Sequence, residues 1–212
     1  MAIDALVVLL VAVATYTDLR ERKIYNNLTY PGILGGLGLN AIGSLVERAY
    51  HWSVENGAGN LALIPPLVVN GWRDAVGWVG IESSALGLAA CGGSMVVCYA
   101  LFRIGGGDVK LLAMIGACLG LERGVETLLW TFVVGGAVAL ATLIWRVGAW
   151  RLATRFVRQA AWSLGLAFWS RWGVGGPLSV EERRELEAPL YLAPSALAGL
   201  LIVLASRQWR WF

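Results

Sequence analysis

The run MAIDALVVLLVAVATYTD, residues 1–18, decides the fold class, because Asp4 is its only charged side chain before Asp18. As a helix, a run of this length crosses about 30 Å of hydrocarbon. It has no basic residues ahead of the apolar stretch and no small-residue cleavage site. We therefore expect it to remain as the first membrane span and not to be removed as a signal peptide.

The composition of the whole chain agrees with a membrane protein. Of its 212 residues, 58% are hydrophobic and only 15% are charged, whereas a soluble domain carries about 25% charged residues. We predict a single all-α domain over residues 1–212, a polytopic integral membrane helical bundle with a core at about 1–145. About six transmembrane helices are expected, at about 3–17, 28–46, 84–103, 109–121, 125–146 and 189–206.

The connection at 47–83 is long, and no function is assigned to it from the sequence. Its apolar stretch LALIPPLVV, residues 61–69, is too short to span a bilayer and contains Pro65 and Pro66. We expect this stretch to form a surface or half-embedded loop.

A basic, tryptophan-rich segment at about 146–188 precedes the last predicted span. Arg151, Arg155 and Arg158 share one helical face, and apolar and aromatic residues cover the rest. This pattern predicts an amphipathic helix that lies along an anionic lipid surface. The tryptophans and the neighbouring spans favour lipid over nucleic acid as the partner of these arginines, so no nucleic acid is expected.

The basic residues predict the orientation. If the connection after the first span faces the cytoplasm, both termini lie outside, in agreement with the positive-inside rule. Of the 17 lysines and arginines, only five then fall on the opposite side: Arg48, Arg73, Arg123, Arg207 and Arg210.

Cysteine and histidine give little support for metal or thiol chemistry. Cys91, Cys98 and Cys118 all fall in apolar runs without a C-x-x-C pair, and His51 is the only histidine. This argues against a zinc site and a disulfide framework, and a Ser/His/Asp site has little support. We predict no metal and no cofactor.

Two aspartates share one predicted membrane face. Asp18 ends the first span and Asp108 opens the fourth, both at the cytoplasmic boundary, whereas Asp4 and Asp74 fall on the outer side. Ionisable groups at such depth are costly and usually functional. Two neighbouring carboxyl groups tend to share one proton, so one can activate a water while the other hydrogen-bonds a peptide carbonyl. The helix dipoles favour Asp108, at an N-terminus, as the anion.

Three glycines, Gly105, Gly106 and Gly107, stand directly before Asp108. Glycine allows positive φ values and the close approach of another backbone, which an extended peptide substrate would require. The string does not match a phosphate-binding loop or a dinucleotide fingerprint.

The segments TDLRERKIYNNLT, residues 17–29, and GGGDVKLLAMIG, residues 105–116, resemble the paired signatures of type IV prepilin peptidases, aspartic proteases of the G-x-G-D class. The resemblance is closest to the short forms that serve tight-adherence pili and to preflagellin peptidases. It covers residues 1 to about 145. The cysteine tetrad and long insertion of the bifunctional members are absent, so N-methyltransferase activity is not expected. Tyr25 stands where many relatives have proline.

The resemblance implies an endopeptidase that cleaves the leader of prepilin or pseudopilin precursors at the cytoplasmic face of the inner membrane. Membrane lipids are the other expected partner. The implied catalytic pair is Asp18 and Asp108, and Gly105 and Gly107 are the fixed glycines of the second motif. Three further residues are candidates for supporting roles, although they could instead cap a helix or bind lipid phosphate: Lys23, Asn26 and Lys110.

Two alternatives remain open. A small proton- or cation-coupled carrier would also keep acids in the membrane, but carriers usually place them near the midplane. An inactive family member that acts in pilus assembly would have the same fold, but its catalytic aspartates need not be intact.

Overall fold

The structure is a computed structural model, and it describes residues 2–55, 66–102, 105–147 and 192–209. These residues are helical apart from short connections, and they contain no strand, which confirms the predicted all-α fold class. The helices are α1 (Ala2–Glu21), α2 (Asn26–Glu55), α3 (Pro66–Val76), α4 (Ile81–Phe102), α5 (Gly106–Val147) and α6 (Leu192–Trp209).

Among the residues that the structure describes, three stretches are long and apolar enough to cross a membrane: Ala2–Glu21, Val69–Leu101 and Gly106–Trp145. The predicted count of six spans is not confirmed. Helix α2 has the length but contains Asn40, Glu47, Arg48 and several glycines, which lower its hydropathy. The apolar part of α6, Leu192–Ser206, is shorter than a full span.

Part of the predicted loop 61–69 is helical. Pro66 opens α3, at the first helical position, where a missing N–H costs nothing. Residues 56–65 and 148–191 lie outside the described residues, and almost all of the predicted interfacial segment at 146–188 falls there.

The first part of α5 is the centre of the bundle. Residues 111–120 are all buried, and they pack with one face of α1 and with α6 in a single hydrophobic core. This explains why the predicted span 109–121 is so short and so uniformly apolar. The buried side chains of α1 recur at helical spacing, as do those of α6: Ile3, Val7, Val11 and Ala14, and Ala193, Ala196, Leu200 and Val203.

Helix α5 is interrupted at Gly120, which has φ 79° and ψ −176°. An L-residue rarely adopts a positive φ, and glycine does so without steric cost. The Ser83 hydroxyl accepts the Leu121 N–H at 3.2 Å and so caps the helix that restarts. The break lies close to the predicted junction between the fourth and fifth spans.

The contacts group the chain into two compact units: Met1–Val134 with Tyr191–Phe212, and Gly135–Leu190. The first unit contains every candidate site residue. In the second unit the described residues, 135–147, form regular helix with exposed apolar side chains such as Val138, Leu140 and Trp145.

Candidate active site

Asp18 lies in the last turn of α1, immediately before the chain changes direction. Arg22 has a φ of 54°, and its N–H donates to the Asp18 carbonyl oxygen at 2.9 Å. A left-handed residue of this kind commonly ends a helix, but glycine or asparagine usually occupies it. The short connection that follows leads directly into α2 at Asn26, so the first motif folds into a tight corner.

Asp108 lies in the first turn of α5. The Asp108 N–H donates to the Gly105 carbonyl oxygen at 3.1 Å. In turn, the backbone N–H of Gly105 donates to the Asp108 carboxylate. The positive end of the α5 dipole therefore faces this carboxylate, as predicted from its position at a helix N-terminus.

The fold brings the two acids together although ninety positions separate them in the sequence. The carboxyl groups lie close enough for the charge of Asp18 to act on Asp108, and both side chains are only partly exposed. Two carboxylates in such a place repel each other strongly, which favours a state with one shared proton. A pair in this state can supply both a general base and a hydrogen-bond donor.

The three glycines of the second motif have different surroundings. A methyl group on Gly107 would come within 2.9 Å of the Ile24 Cβ atom, whereas one on Gly106 would meet nothing within 4 Å. On Gly105 it would stand 3.1 Å from the Asp108 Oδ2 atom. Neither Gly106 nor Gly107 has a positive φ. Glycine is needed at position 107 because a larger side chain would not fit against Ile24.

Lys110 links the second motif to the first. Its Nζ atom donates to the Asn26 Oδ1 atom at 2.8 Å and stands 5.0 Å from the centre of the Tyr30 ring, within the range of a cation–π interaction. Two of the three candidate supporting residues therefore contact each other. Lys23 is exposed in the connection between α1 and α2.

Tyr25 bridges the same corner. Its hydroxyl donates to the Glu21 carboxylate, and this hydrogen bond raises the pKa of Tyr25 above its ordinary value. The hydroxyl therefore stays protonated and remains a donor at neutral pH. A tyrosine can thus tie the end of α1 to the start of α2 at the position where many relatives have proline.

The start of α6 completes the surroundings of Asp18. The backbone N–H of Ala193 hydrogen-bonds the Asp18 carboxylate, and the Thr15 hydroxyl donates to the Ala193 carbonyl oxygen at 3.1 Å. Asp18 therefore faces a helix N-terminus as well as the end of its own helix. Because both carboxyl groups face a helix N-terminus, the helix dipoles do not indicate which of the two is ionised.

Sequence reasoning did not identify Thr15, Tyr30 or Ala193. Thr15 and Tyr30 carry a weak local signal, since each stands three or four residues from a motif residue, but Ala193 carries none. Within the described ranges, no group of three or more His, Cys, Asp or Glu side chains could hold a metal ion.

The comparison with protein families gives one match, in which the model of the type IV leader peptidase family covers residues 5–140. No curated protein and no solved structure matches the chain significantly. The matched residues include both aspartates and the three glycines, and α6 lies beyond them. Because the match covers more than half of the 212 residues, the chain belongs to the type IV leader peptidase family, which implies an aspartic peptidase.

Proposed function

We propose that this protein is an aspartic endopeptidase that removes the N-terminal leader from prepilin or pseudopilin precursors. The observation that carries the proposal is that the fold places the Asp18 and Asp108 carboxyl groups, on α1 and α5, close enough for their charges to interact. Beside them, Gly106 is exposed and leaves open space where a side chain would stand. An extended peptide could approach the pair from this side.

In the proposed reaction, the ionised carboxylate takes a proton from a water molecule as the water attacks the scissile carbonyl. The protonated partner donates a hydrogen bond to the carbonyl oxygen and stabilises the charge that develops there. The proton then passes to the leaving amine, and the pair returns to its singly protonated state. No metal and no cofactor is needed in this scheme, and N-methylation of the new terminus is not part of it.

We place the site at the cytoplasmic face of the inner membrane, with both termini outside and residues 1–212 as one membrane domain. The basic residues near the first motif support this orientation: Arg20, Arg22 and Lys23 follow the first span closely. The apolar helix of the precursor would remain in the bilayer, while its leader reaches the aspartates at the membrane surface. Lys110, Asn26 and Lys23 would support the shape of the site or bind lipid phosphate.

The proposal is tested by co-expressing the protein with a candidate prepilin in cells that lack their own leader peptidase. Asp18→Asn and Asp108→Asn should each reduce leader cleavage by a factor on the order of 10³ or more, because one carboxyl cannot replace the pair. Asp74→Asn, on the exposed surface of α3, is the matched control and should cleave normally. The measurement is the mature fraction of the precursor by mass.

Cleavage that persists in both site variants would refute the peptidase mechanism. A wild-type protein that does not cleave but still supports pilus assembly would favour an inactive assembly factor. Proton or cation uptake by the purified wild type in vesicles, abolished by the same two variants, would favour a carrier.

A further inference from the structure

Ala193, the second residue of α6, is bound on both of its backbone groups by the end of α1. Its N–H hydrogen-bonds the Asp18 carboxylate, and its carbonyl oxygen accepts from the Thr15 hydroxyl at 3.1 Å. Thr15 stands three residues before Asp18 and so lies on the same face of α1. One turn of α1 thus binds one residue of α6 from two sides.

This contact is buried, and the Asp18 side of it supplies an acceptor to a backbone N–H that has none within α6. Thr15 is 8% exposed and Ala193 is 0% exposed. The first N–H groups of a helix have no acceptor within the helix, and Asp18 supplies one. The single Thr15 hydroxyl proton is shared between the Val11 carbonyl oxygen, at 2.8 Å, and the Ala193 carbonyl oxygen, at 3.1 Å, so the hydroxyl joins the two helices by a bifurcated hydrogen bond.

The packing of the two helices supports the contact over a longer distance. Ile3, Val7, Val11 and Ala14 of α1 belong to the same core as Ala193, Ala196 and Leu200 of α6. A shift of the first turn of α6 would therefore move the N–H donor away from Asp18. Although α6 lies beyond the residues 5–140 that match the family, it contributes directly to the surroundings of one catalytic carboxyl.

We propose that Thr15 is a positioning residue, which holds the first turn of α6 so that the Ala193 N–H fixes the orientation of the Asp18 carboxyl group. This inference rests on the proposed peptidase function. Thr15 touches neither substrate nor the attacking water in this scheme, and it acts only through Ala193 and Asp18. Its loss should therefore reduce the rate of chemistry more than the binding of the precursor.

The test measures kcat and KM for leader cleavage by the purified full-length protein in detergent, with a prepilin as substrate. Thr15→Val keeps the shape of the side chain but removes the hydroxyl, and Thr15→Ser restores the hydroxyl. We expect Thr15→Val to lower kcat by a factor on the order of 10 to 100, with KM changed by about twofold or less, because a small misplacement of a catalytic group is costly. Thr15→Ser should restore most of the rate.

Thr142→Val is the matched control. Thr142 lies on α5, away from both motifs, and donates to the Ala139 carbonyl oxygen at 2.8 Å, a bond within α5. This variant should keep the wild-type kcat. Thr15→Ala provides a second removal of the hydroxyl without added volume and should behave like Thr15→Val. The midpoint of thermal unfolding is measured for each variant.

Wild-type kcat in Thr15→Val or Thr15→Ala would overturn the positioning role, as would an equal loss in Thr15→Ser. If neither Thr15→Val nor Thr15→Ala folds, the contact serves folding itself, which also overturns a role in positioning. Activity in Asp18→Asn would overturn the proposed function and this inference together. Inactivity in that variant combined with a normal Thr15→Val would overturn only the inference.

Discussion

Gly106 and Gly107 are adjacent, but their surroundings differ in a way that bears on activity. The face of Gly107 where a side chain would stand meets Ile24, in the connection between α1 and α2. Isoleucine is branched at its Cβ atom and has little rotational freedom with which to move aside. The contact brings the first motif against the second, and it is possible only because Gly107 lacks a side chain.

We therefore expect Gly107→Ala to reduce leader cleavage by a factor on the order of 10 or more, because the added methyl separates the two motifs. Gly106→Ala should cleave at close to the wild-type rate, since its methyl meets no protein atom within 4 Å. The measurement is kcat/KM for both variants at matched amounts of folded protein. Equal rates for the two would show that contact with Ile24 is irrelevant to activity.

At the level of residues, the sequence predicts those site residues that stand out by their chemical type and local spacing. Asp18 and Asp108 are unusual because acids are expensive in an apolar chain, and the glycines are unusual by their number. Thr15 and Ala193 are common residues in helices, and the contacts on which their proposed roles rest arise only from the packing of α1 against α6. No local pattern predicts a contact between residues that lie so far apart in the chain.

The break at Gly120 is the element boundary that most depends on one residue. It has a positive φ, and a methyl group there would approach the Val79 side chain to 2.8 Å and also overlap Ser83. The residues on its two sides belong to different helical segments. Their separation depends on a backbone conformation that L-residues avoid.

Gly120→Ala should lower the free energy of unfolding by about 1–2 kcal/mol from the left-handed backbone alone, and by more if Ser83 cannot move. Gly136→Ala, in the helical interior of the same element, should be neutral or slightly stabilising, since its methyl would meet nothing within 4 Å. Thermal unfolding in detergent provides the comparison. A Gly120→Ala protein as stable as Gly136→Ala would contradict this account of the break.

The elements were predicted well where hydropathy is decisive and less well where it is not. The first and third predicted spans, 3–17 and 84–103, correspond closely to α1 and α4. Helix α2 continues beyond the predicted end at 46 to Glu55, because charged residues end an apolar pattern without ending a helix. Helix α3 was missed because Asn70 and Gly71 are poor helix formers and its apolar part is short.

Across the whole molecule, α1 and α5 are joined near both ends of α1. Asp18 and Asp108 interact at one end, and near the other end the Arg123 guanidinium lies 3.1 Å from the Asp4 carboxylate. Both side chains of this ion pair are largely buried, at 16% exposure for Asp4 and 19% for Arg123. Loss of one partner leaves the other charge in a poorly solvated place.

Asp4→Asn or Arg123→Gln alone should therefore lower the free energy of unfolding by about 3 kcal/mol. The double variant should lose less than the sum of the two, because the attraction between these two charges can be lost only once. Unfolding in detergent for the wild type, both single variants and the double variant completes a thermodynamic cycle. Strict additivity would show that the two charges do not interact energetically.

The membrane character of the whole molecule is indicated by its composition, since a chain so poor in charge exposes apolar surface that lipid can cover, and the all-α class is indicated by the length of its apolar runs. The number of spans does not follow as directly. Helices α2 and α6 each bury residues against their neighbours, so hydropathy alone does not decide whether they cross the membrane. The first part of α5 is central because other helices pack around it, and its own sequence does not predict this position.

The hydrogen bond between Asp18 and Ala193 also has a consequence for biosynthesis. A ribosome completes both aspartates and all three motif glycines well before it reaches residue 193, so the nascent chain carries the aspartate pair without the Ala193 donor to Asp18. Until α6 is made and docks on α1, the carboxyl group of Asp18 lacks one of its fixed partners. The order of synthesis thus delays full assembly of the candidate active site until α6 has docked on α1.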